Sequence, residues 1–408
     1  MKVGAVPWVG AVLYKPLMDD VLHEDVAAGG SSPIAAWRRC AAALVGLALA
    51  IACAVAPAGA ATPAACQDGV LPGGALSRIC VPAAGWNGDL VVWAHGYIAF
   101  NEPIDFYHLT FADGTSLPDL VQRLGFAFAT TSFRENGLAV LAAIDDVREL
   151  IDAVPAVAGR APGRTYMTGA SEGGLVTVLA IERHPDLFAG GLAACGPIGS
   201  FARQVDYIGD VRVLFDYFFP GVLPGSPTVI PTALIDDWDA VYVPAIASAL
   251  AANPAAARDL IRTSGAAVDA ADPTTIEATV VDVLWYNVFG TNDAVVRLGG
   301  NPYTNRGRFY LGSSNDLRLN LRVRRVSADP VARAGLVAYE TSGRLSRPVV
   351  ALHTGRDPVI PFWHEQRYAA KVEGTGRFVG IPVDRYGHCQ FTVGEMLSAF
   401  VRLLRSAR

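Results

Sequence analysis

Residues 164–174 read RTYMTGASEGG and place Ser171 at the centre of a Gly-x-Ser-x-Gly pentapeptide. The residues before it, 165–168, are β-prone and short. The residues after it, 175–181, form an apolar run with the length of a buried helical segment. We therefore predict a strand that turns sharply into a helix at Ser171.

The two glycines of the pentapeptide, Gly169 and Gly173, stand where such a turn leaves no room for a Cβ atom. A turn of this kind, a nucleophile elbow, lifts the Ser171 hydroxyl clear of the sheet. It also aims the first free N–H groups of the helix, beginning with that of Glu172, at an oxyanion beside the serine. The alternative is an ordinary glycine turn with an incidental serine.

The composition describes an ordered protein with a large core, since 52% of the 408 residues are hydrophobic and 17% are charged. The net charge of −5 provides no basic surface, so we expect no nucleic-acid partner. The chain contains no His-Glu-x-x-His, Cys-x-x-Cys, P-loop or dinucleotide motif. We therefore predict neither a metal ion nor a cofactor.

Residues 1–60 have the pattern of a secretory signal peptide with an atypical N-terminal extension. Arg38 and Arg39 precede the apolar stretch 40–56, and the small residues Ala-Gly-Ala follow it, ending at Ala60. We predict cleavage near Ala60, a secreted or periplasmic protein, and no stable membrane insertion after processing. An uncleaved membrane anchor is the alternative, although 17 apolar residues are close to the minimum for a spanning helix.

Four cysteines remain after the predicted cleavage, namely Cys66, Cys80, Cys195 and Cys389. An even number in an oxidising compartment favours disulfides, and four cysteines allow three pairings. Proximity in sequence favours Cys66–Cys80, which leaves Cys195–Cys389. Four buried free thiols are the alternative.

Apolar strand-like segments alternate with helical segments in two parts of the chain, residues 61–196 and 346–408. The predicted strands cover residues 77–82, 89–94, 126–131, 165–168, 190–194, 348–353 and 377–383. The predicted helices cover residues 138–157, 175–181, 365–372 and 393–404. This alternation predicts an α/β fold with a mostly parallel sheet and helices on both faces.

The segment between these two parts, residues 197–345, has few strand signals and several prolines. Helix-like patterns occur at residues 235–251 and 276–288. We therefore predict a large, mainly helical cap inserted into an α/β core.

Two further polar residues follow predicted strands of the core. Asp357 lies in the loop after the strand at 348–353, and His388 lies in the loop after the last strand. The carboxyl ends of parallel strands meet at one edge of a sheet, where sites form. A serine nucleophile needs a base and an acid that orients the base, and these loops supply both types. Asp384, four residues before His388, is the alternative acid.

The order Ser, Asp, His along the chain resembles the triad of the α/β-hydrolase superfamily. The resemblance covers residues 66–195 and 346–408. The elbow GASEGG, with HPDLF downstream, is most similar to the prolyl-oligopeptidase branch, although no β-propeller precedes it. The resemblance implies that Ser171 is the nucleophile, His388 the general base and acid, and Asp357 the orienting carboxylate.

The family resemblance also extends to the sequence His95-Gly96-Tyr97, which follows the predicted strand at 89–94. It implies that the Tyr97 N–H joins the Glu172 N–H to form the oxyanion hole. Gly96 would let that backbone approach the substrate.

Three other polar side chains receive structural interpretations. His353 lies within a predicted strand and is expected to be a hydrogen-bonded core residue. His364 begins a helix and is expected at the surface. The Glu172 side chain, in the first turn of a helix, is expected to complement the helix dipole and nothing more.

The predicted cap contains many aromatic residues, some of which should line an apolar pocket over Ser171. They are Tyr207, Phe215, Tyr217, Phe218, Phe219, Trp238, Tyr242, Trp285, Tyr286 and Phe289. We predict a secreted serine hydrolase that cleaves small-molecule or polymeric carboxylic esters with apolar or aromatic groups through an acyl-serine intermediate.

Two alternative functions remain open. A secreted aminopeptidase or amidase of the same fold would need acids in the cap to hold a substrate ammonium. Asp236, Asp237 and Glu277 are the candidates. The other alternative is a noncatalytic, membrane-anchored binding protein of the hydrolase fold.

Overall fold

The structure, a computed structural model, describes residues 61–408. The predicted signal peptide, residues 1–60, lies outside the described residues. Eight strands form one sheet. They are β1 (Gln67–Val70), β2 (Leu76–Cys80), β3 (Leu90–Ala94), β4 (Ala127–Thr131), β5 (Thr165–Ala170), β6 (Gly190–Ala194), β7 (Val349–Arg356) and β8 (Phe378–Tyr386).

The strand order in the sheet is β1-β2-β4-β3-β5-β6-β7-β8. The strands from β4 across to β8 pair in parallel, whereas β2 pairs antiparallel with both β1 and β4. The predicted α/β class with a mostly parallel sheet is therefore confirmed. Strand β1 was not predicted, because all four of its residues are exposed and it has no apolar alternation.

Helices cover both faces of this sheet. The helices are α1 (Leu117–Arg123), α2 (Val140–Ala158), α3 (Glu172–Arg183), α4 (Phe201–Phe218), α5 (Thr232–Asp236), α6 (Val243–Ala252), α7 (Pro254–Ser264), α8 (Thr275–Leu298), α9 (Asp316–Arg322), α10 (Pro330–Gly335), α11 (Trp363–Lys371) and α12 (Val393–Ser406). Along β3, Leu90 and Val92 pack in the core shared with α2, α3 and α11. Val91 and Trp93 pack on the other face with α1 and α12. The strands read as continuous apolar runs because both of their faces are buried.

The chain between β6 and β7, residues 195–348, is called the helical insertion. It contains α4 to α10 and adds no strand to the sheet. It has a hydrophobic core of its own, built largely from α4 and α8. Within residues 61–408 no single helix is long and apolar enough to cross a membrane. The segments Trp238–Ala252 and Pro254–Ser264 reach that length and apolar character only when taken together, and the chain bends by 105° between them.

The predicted helix at residues 235–251 is interrupted in the structure. Helix α5 ends at Asp236, a π-helical turn covers Trp238–Tyr242, and α6 begins at Val243. Pro244 explains the break, because proline is tolerated in the first turn of a helix but not in its interior. The helix predicted at 276–288 is longer than expected. It ends at Leu298 and is followed by Gly299, which adopts a left-handed conformation.

Both predicted disulfides are present. Cys66–Cys80 joins the segment before β1 to the end of β2, and Cys195–Cys389 joins the end of β6 to the loop after β8. Disulfides of this kind are compatible with an extracellular location.

Candidate active site

The turn between β5 and α3 places Ser171 in a conformation that few residues adopt. Its backbone dihedrals are φ 56° and ψ −121°. A Cβ atom on Gly169 would overlap the carbonyl of Gly173, and one on Gly173 would overlap the carbonyl of Ala94. Glycine is therefore required at both positions, and the turn has the geometry of a nucleophile elbow.

Ser171, His388 and Asp357 form a continuous hydrogen-bonded chain. The Nε2 atom of His388 lies 2.9 Å from Ser171 Oγ, and Nδ1 lies 2.7 Å from Asp357 Oδ2. All three side chains are buried. A proton on Nδ1 donates to the carboxylate, which leaves Nε2 free to accept the serine proton.

The Asp357 carboxylate is held as an anion. Its Oδ1 atom accepts hydrogen bonds from the backbone N–H groups of Val359 and Ile360, each at 2.9 Å. Burial alone would raise its pKa, but the charge of His388 and hydrogen bonds from His353 and His388 lower the pKa to about 2. Asp357 therefore remains ionised throughout the neutral range.

The turn that follows Asp357 is held by hydrogen bonds from side chains outside the loop. The Tyr207 hydroxyl donates to the carbonyl of Pro358 at 2.6 Å, and Gln204 Nε2 donates to that of Val359 at 2.8 Å. His353 Nε2 donates to the carbonyl of Ile360 at 2.8 Å. Tyr207 and Gln204 lie on α4. The helical insertion thus contributes to the position of the candidate triad acid.

Asp384 occupies a different environment from Asp357. Its side chain is 92% exposed and forms an ion pair with Arg356 at 2.5 Å. The carboxylate that contacts His388 belongs to Asp357.

The expectation for His364 was wrong. Its side chain is fully buried, with Nδ1 accepting from the Gly199 N–H at 3.0 Å and Nε2 donating to Gln204 Oε1 at 2.9 Å. The chain just before α4 covers this first turn of α11, and local sequence gives no sign of that contact. His353 is a hydrogen-bonded core residue, as expected, and its Nδ1 lies 3.1 Å from Glu365 Oε1.

The loop after β3 lies directly against the nucleophile. A Cβ atom on Gly96 would lie 3.2 Å from the Ser171 Cβ. The carbonyl of Gly96 lies 2.7 Å from His95 Nδ1, which therefore donates to it. The carbonyl of Gly96 and the N–H of Tyr97 belong to the same planar trans peptide, so they point in opposite directions. The hydrogen bond to the carbonyl therefore also fixes the direction of the Tyr97 N–H. With the Glu172 N–H at the start of α3, this peptide forms the candidate oxyanion hole.

Unusual backbone conformations concentrate at this edge of the sheet. Within residues 61–408, positive φ angles at non-glycine residues occur at His108, Phe133, Ser171, Cys195 and Cys389. All five lie in loops that follow the carboxyl ends of strands. Such strain persists only where the surrounding structure enforces it, and it is common at functional sites.

The sheet order and the chain order of the site residues decide the fold. Ser171, Asp357 and His388 follow β5, β7 and β8 at one edge of a mostly parallel sheet. A serine on a strand-to-helix elbow, followed along the chain by an acid and a histidine, defines one architecture. The chain has an α/β-hydrolase fold.

Comparisons with known proteins give only distant similarity for this chain. No family model and no curated protein matches the sequence. An acylaminoacyl peptidase from Pyrococcus horikoshii is 13% identical with a TM-score of 0.42, over 85% of this chain and 40% of its own. An esterase from Pyrococcus furiosus is 12% identical with a TM-score of 0.43, over 85% and 91%. A puromycin-hydrolyzing peptidase from Mycobacterium tuberculosis is 13% identical with a TM-score of 0.43, over 84% and 38%.

The chain thus spans only about 40% of the length of the two peptidases. At these identities and TM-scores, the similarities carry no argument about which bond is cleaved. The chemistry must be argued from the site itself.

The Glu172 side chain stands in the first turn of its own helix and also contacts a second helix. It is buried, and its Oε1 atom accepts a hydrogen bond from the Ala139 N–H at the start of α2 at 3.2 Å. Burial raises its pKa to about 8, opposed by the Ala139 hydrogen bond; Asp293 raises the pKa further and Arg297 lowers it. Burial therefore favours the neutral form of the Glu172 carboxyl, next to the nucleophile.

A cavity of about 140 Å³ opens beside Ser171 between the core and the helical insertion. Of the ten cap aromatics considered from the sequence, Tyr286 lines this cavity, as Ser171 does. Most of the others form the core of the insertion. Smaller residues that line the cavity, such as Gly290 and Ala294, were missed. Their four-residue spacing along one helix face was the available signal.

Cys195, His388 and Cys389 form the one cluster of potential metal-ligand atoms found within residues 61–408. Its two sulfur atoms are joined as a disulfide and its histidine belongs to the hydrogen-bonded chain. This disulfide links the loop that carries His388 to the end of β6.

Proposed function

We propose that this α/β-hydrolase is a serine hydrolase that cleaves carboxylic esters with apolar acyl groups through an acyl-serine intermediate. The observation that carries the proposal is the buried chain of hydrogen bonds from Ser171 through His388 to Asp357, placed at the end of an apolar cavity. A complete, bonded triad also argues against a noncatalytic binding protein.

The geometry supports a two-step reaction. His388 Nε2 removes the Ser171 proton as Oγ attacks the ester carbonyl, and the oxyanion accepts hydrogen bonds from the Tyr97 and Glu172 N–H groups. His388 then gives the proton to the departing alcohol oxygen as the ester bond breaks. In the second step, His388 takes a proton from a water molecule as the water oxygen attacks the acyl-serine carbonyl. His388 then gives this proton to Ser171 Oγ as the acyl–oxygen bond breaks, which releases the acid and restores the Ser171 hydroxyl.

Labelling with a fluorophosphonate, together with a panel of p-nitrophenyl esters, tests this proposal. We expect one label per chain on Ser171 and measurable ester turnover. In the Ser171→Ala variant, labelling should disappear and kcat should fall by ~10⁴-fold or more, with the far-ultraviolet spectrum unchanged. Equal labelling of the variant and the native chain would contradict the proposal.

An aminopeptidase or amidase is a second candidate function. The acids considered for binding an ammonium, Asp236, Asp237 and Glu277, are exposed and do not line the cavity. Asp282 on α8 is better placed, because it is half-buried and interacts electrostatically with His388. Burial raises the pKa of Asp282 to about 7, while His388 lowers it and Asp357 raises it.

Aminoacyl p-nitroanilides distinguish the two functions. An aminopeptidase should hydrolyse these anilides at a measurable rate and should lose that activity in the Asp282→Asn variant. A protein that hydrolyses the esters and leaves the anilides intact supports the first proposal.

We also propose that the protein is exported and cleaved near Ala60, in agreement with the two disulfides. N-terminal sequencing of the exported protein should begin near Ala61. Recovery of the intact apolar stretch 40–56 in membrane fractions would instead support an anchored enzyme.

A further inference from the structure

The cavity beside Ser171 lies between one face of α4 and one face of α8, two helices of the helical insertion. Helix α8 contributes Tyr286, Gly290, Ala294 and Leu298, which recur at intervals of four residues and therefore share one face. They extend over about 18 Å of the helix axis. Helix α4 contributes Phe201, Gln204, Val205, Ile208 and Gly209. We call the space between these two faces the α4–α8 groove.

Most polar side chains that line the groove already have protein partners. The Tyr97 hydroxyl donates to Phe289 O, Gln204 to Val359 O, Asn287 to Pro227 O, Asn301 to Ser327 O and Tyr303 to Asp210. Groups satisfied in this way offer little to a polar ligand. The lining also includes Ser171, which is the candidate nucleophile, Glu172, which follows it in sequence, and Tyr286. The groove therefore fits a molecule with one polar end and an apolar remainder.

The open space depends on two small residues of α8, Gly290 and Ala294. A Cβ atom on Gly290 would meet only the Tyr97 hydroxyl, at 3.6 Å, which is an ordinary contact. Packing therefore does not require glycine here, although glycine in a helix interior is unfavourable compared with alanine. Gly209 on α4 differs, because a Cβ atom there would overlap the ring of Tyr303. Gly290 is best explained by the room that it leaves in the groove.

We propose that the α4–α8 groove binds the acyl chain of aliphatic esters and that Gly290 and Ala294 set the accepted chain length. This inference rests on the proposed function. The ester carbonyl lies at Ser171, and the hydrocarbon chain passes first Gly290 and then Ala294. A cavity of roughly 150 Å³ holds a benzene molecule, so a volume of about 140 Å³ suits an acyl group of about six carbons.

A series of p-nitrophenyl esters tests the proposal, with kcat/KM measured for acetate, butyrate, hexanoate and decanoate. For the native protein we expect a maximum at hexanoate. Gly290→Leu should lower the ratio of hexanoate to acetate kcat/KM by about tenfold or more, because one misplaced methylene already costs about tenfold. Ala294→Leu fills the groove further from Ser171, so it should exclude hexanoate and decanoate while butyrate is still accepted.

Two further variants separate specificity from folding. Gly290→Ala should shift the ratio in the same direction but less, with a higher Tm, because alanine favours the helix. Val296→Leu is the matched control, since Val296 lies on α8 with 80% of its surface exposed. It should leave the whole chain-length profile unchanged.

The outcomes are distinguishable. Native-like chain-length ratios in folded Gly290→Leu and Ala294→Leu would overturn the assignment of the groove while leaving ester hydrolysis intact. Absence of turnover with every ester, in native protein that is still labelled at Ser171, would overturn the proposed function as well.

Discussion

The Nε2 atom of His353 lies 3.6 Å from Oδ2 of Asp357, the same oxygen that faces His388. The two ring nitrogens of His353 also face Ile360 O at 2.8 Å and Glu365 Oε1 at 3.1 Å. A carbonyl and a carboxylate accept hydrogen bonds, so both nitrogens are placed to donate. Burial lowers the pKa of His353, but Asp357 and Glu365 outweigh it and raise the pKa to about 10. A buried cation therefore lies beside the candidate triad acid.

His353→Gln should weaken both activity and folding. Glutamine cannot donate to Ile360 and Glu365 together, and an unsatisfied buried group costs about 1–3 kcal/mol. We expect kcat/KM to fall by about tenfold, since 1.4 kcal/mol corresponds to that factor. Denaturant unfolding and ester kinetics measure the two effects.

The pH dependence separates the charge of His353 from its packing. The folded-state pKa lies above the ordinary value of 6.5, so the stability contributed by the charge is complete below pH 6.5 and lost as the pH rises through about 10. The stability difference between native protein and His353→Gln should shrink over this range. His184→Gln, at a half-buried histidine at the end of α3, is the control. A difference that does not vary with pH would mean that His353 is neutral.

Asp357→Asn should reduce kcat by about 10⁴-fold, because an amide holds the wrong tautomer of His388. Asp384→Asn should change kcat by less than about twofold, since exposed ion pairs contribute little. Steady-state kinetics on one ester compares the two variants directly. The reverse order would assign the orienting role to Asp384.

Glu172 should limit activity at alkaline pH. Its ionisation above about pH 8 places a negative charge beside the oxyanion hole, in a site that already contains Asp293 and Arg297 from α8. Its folded-state pKa exceeds the ordinary 4.5, so the stability of the neutral form is complete below pH 4.5 and lost as the pH rises through about 8.

The Glu172→Gln variant keeps the oxygen that accepts from Ala139 and removes the ionisation. We expect kcat/KM to stay level above pH 8 and the Tm at pH 9 to exceed that of the native protein. An alkaline decline that persists unchanged in the variant would assign it to another group.

The Cys195–Cys389 disulfide should support both stability and activity. It joins residues 194 apart in sequence, and closing a loop of that length stabilises the fold by about 5 kcal/mol in the chain-entropy model. It also restrains the loop next to His388. The double variant Cys195→Ser/Cys389→Ser should lose activity at temperatures where its helix content is still native.

The Cys66–Cys80 disulfide provides the matched control, because it spans only 14 residues and lies at β1 and β2, the edge of the sheet opposite β8. Its removal should cost about 3 kcal/mol and leave kcat unchanged in folded protein. Mapping of non-reduced digests checks both pairings. Equal loss of kcat in the two double variants would show that Cys195–Cys389 has no special effect on the site.

The strands and helices of the core were predictable where local sequence carries the cause. Strands β3 to β7 are buried on both faces and read as apolar runs, whereas β1 is exposed and was missed. The helix predicted at 235–251 is present but interrupted, because one proline outweighed a continuous apolar pattern. Helix α8 was underestimated, since packing rather than propensity extends it to Leu298.

Local sequence was enough to predict the elbow at Ser171 and the order of the candidate triad along the chain. Both follow from short-range causes: the steric demand for Gly169 and Gly173, and the loops that must emerge at the carboxyl edge of a parallel sheet. The folded chain was needed to show that Asp357 rather than Asp384 contacts His388, and that Glu172 and His364 are buried. These facts depend on which distant segments exclude water from a side chain, and local sequence does not contain that information.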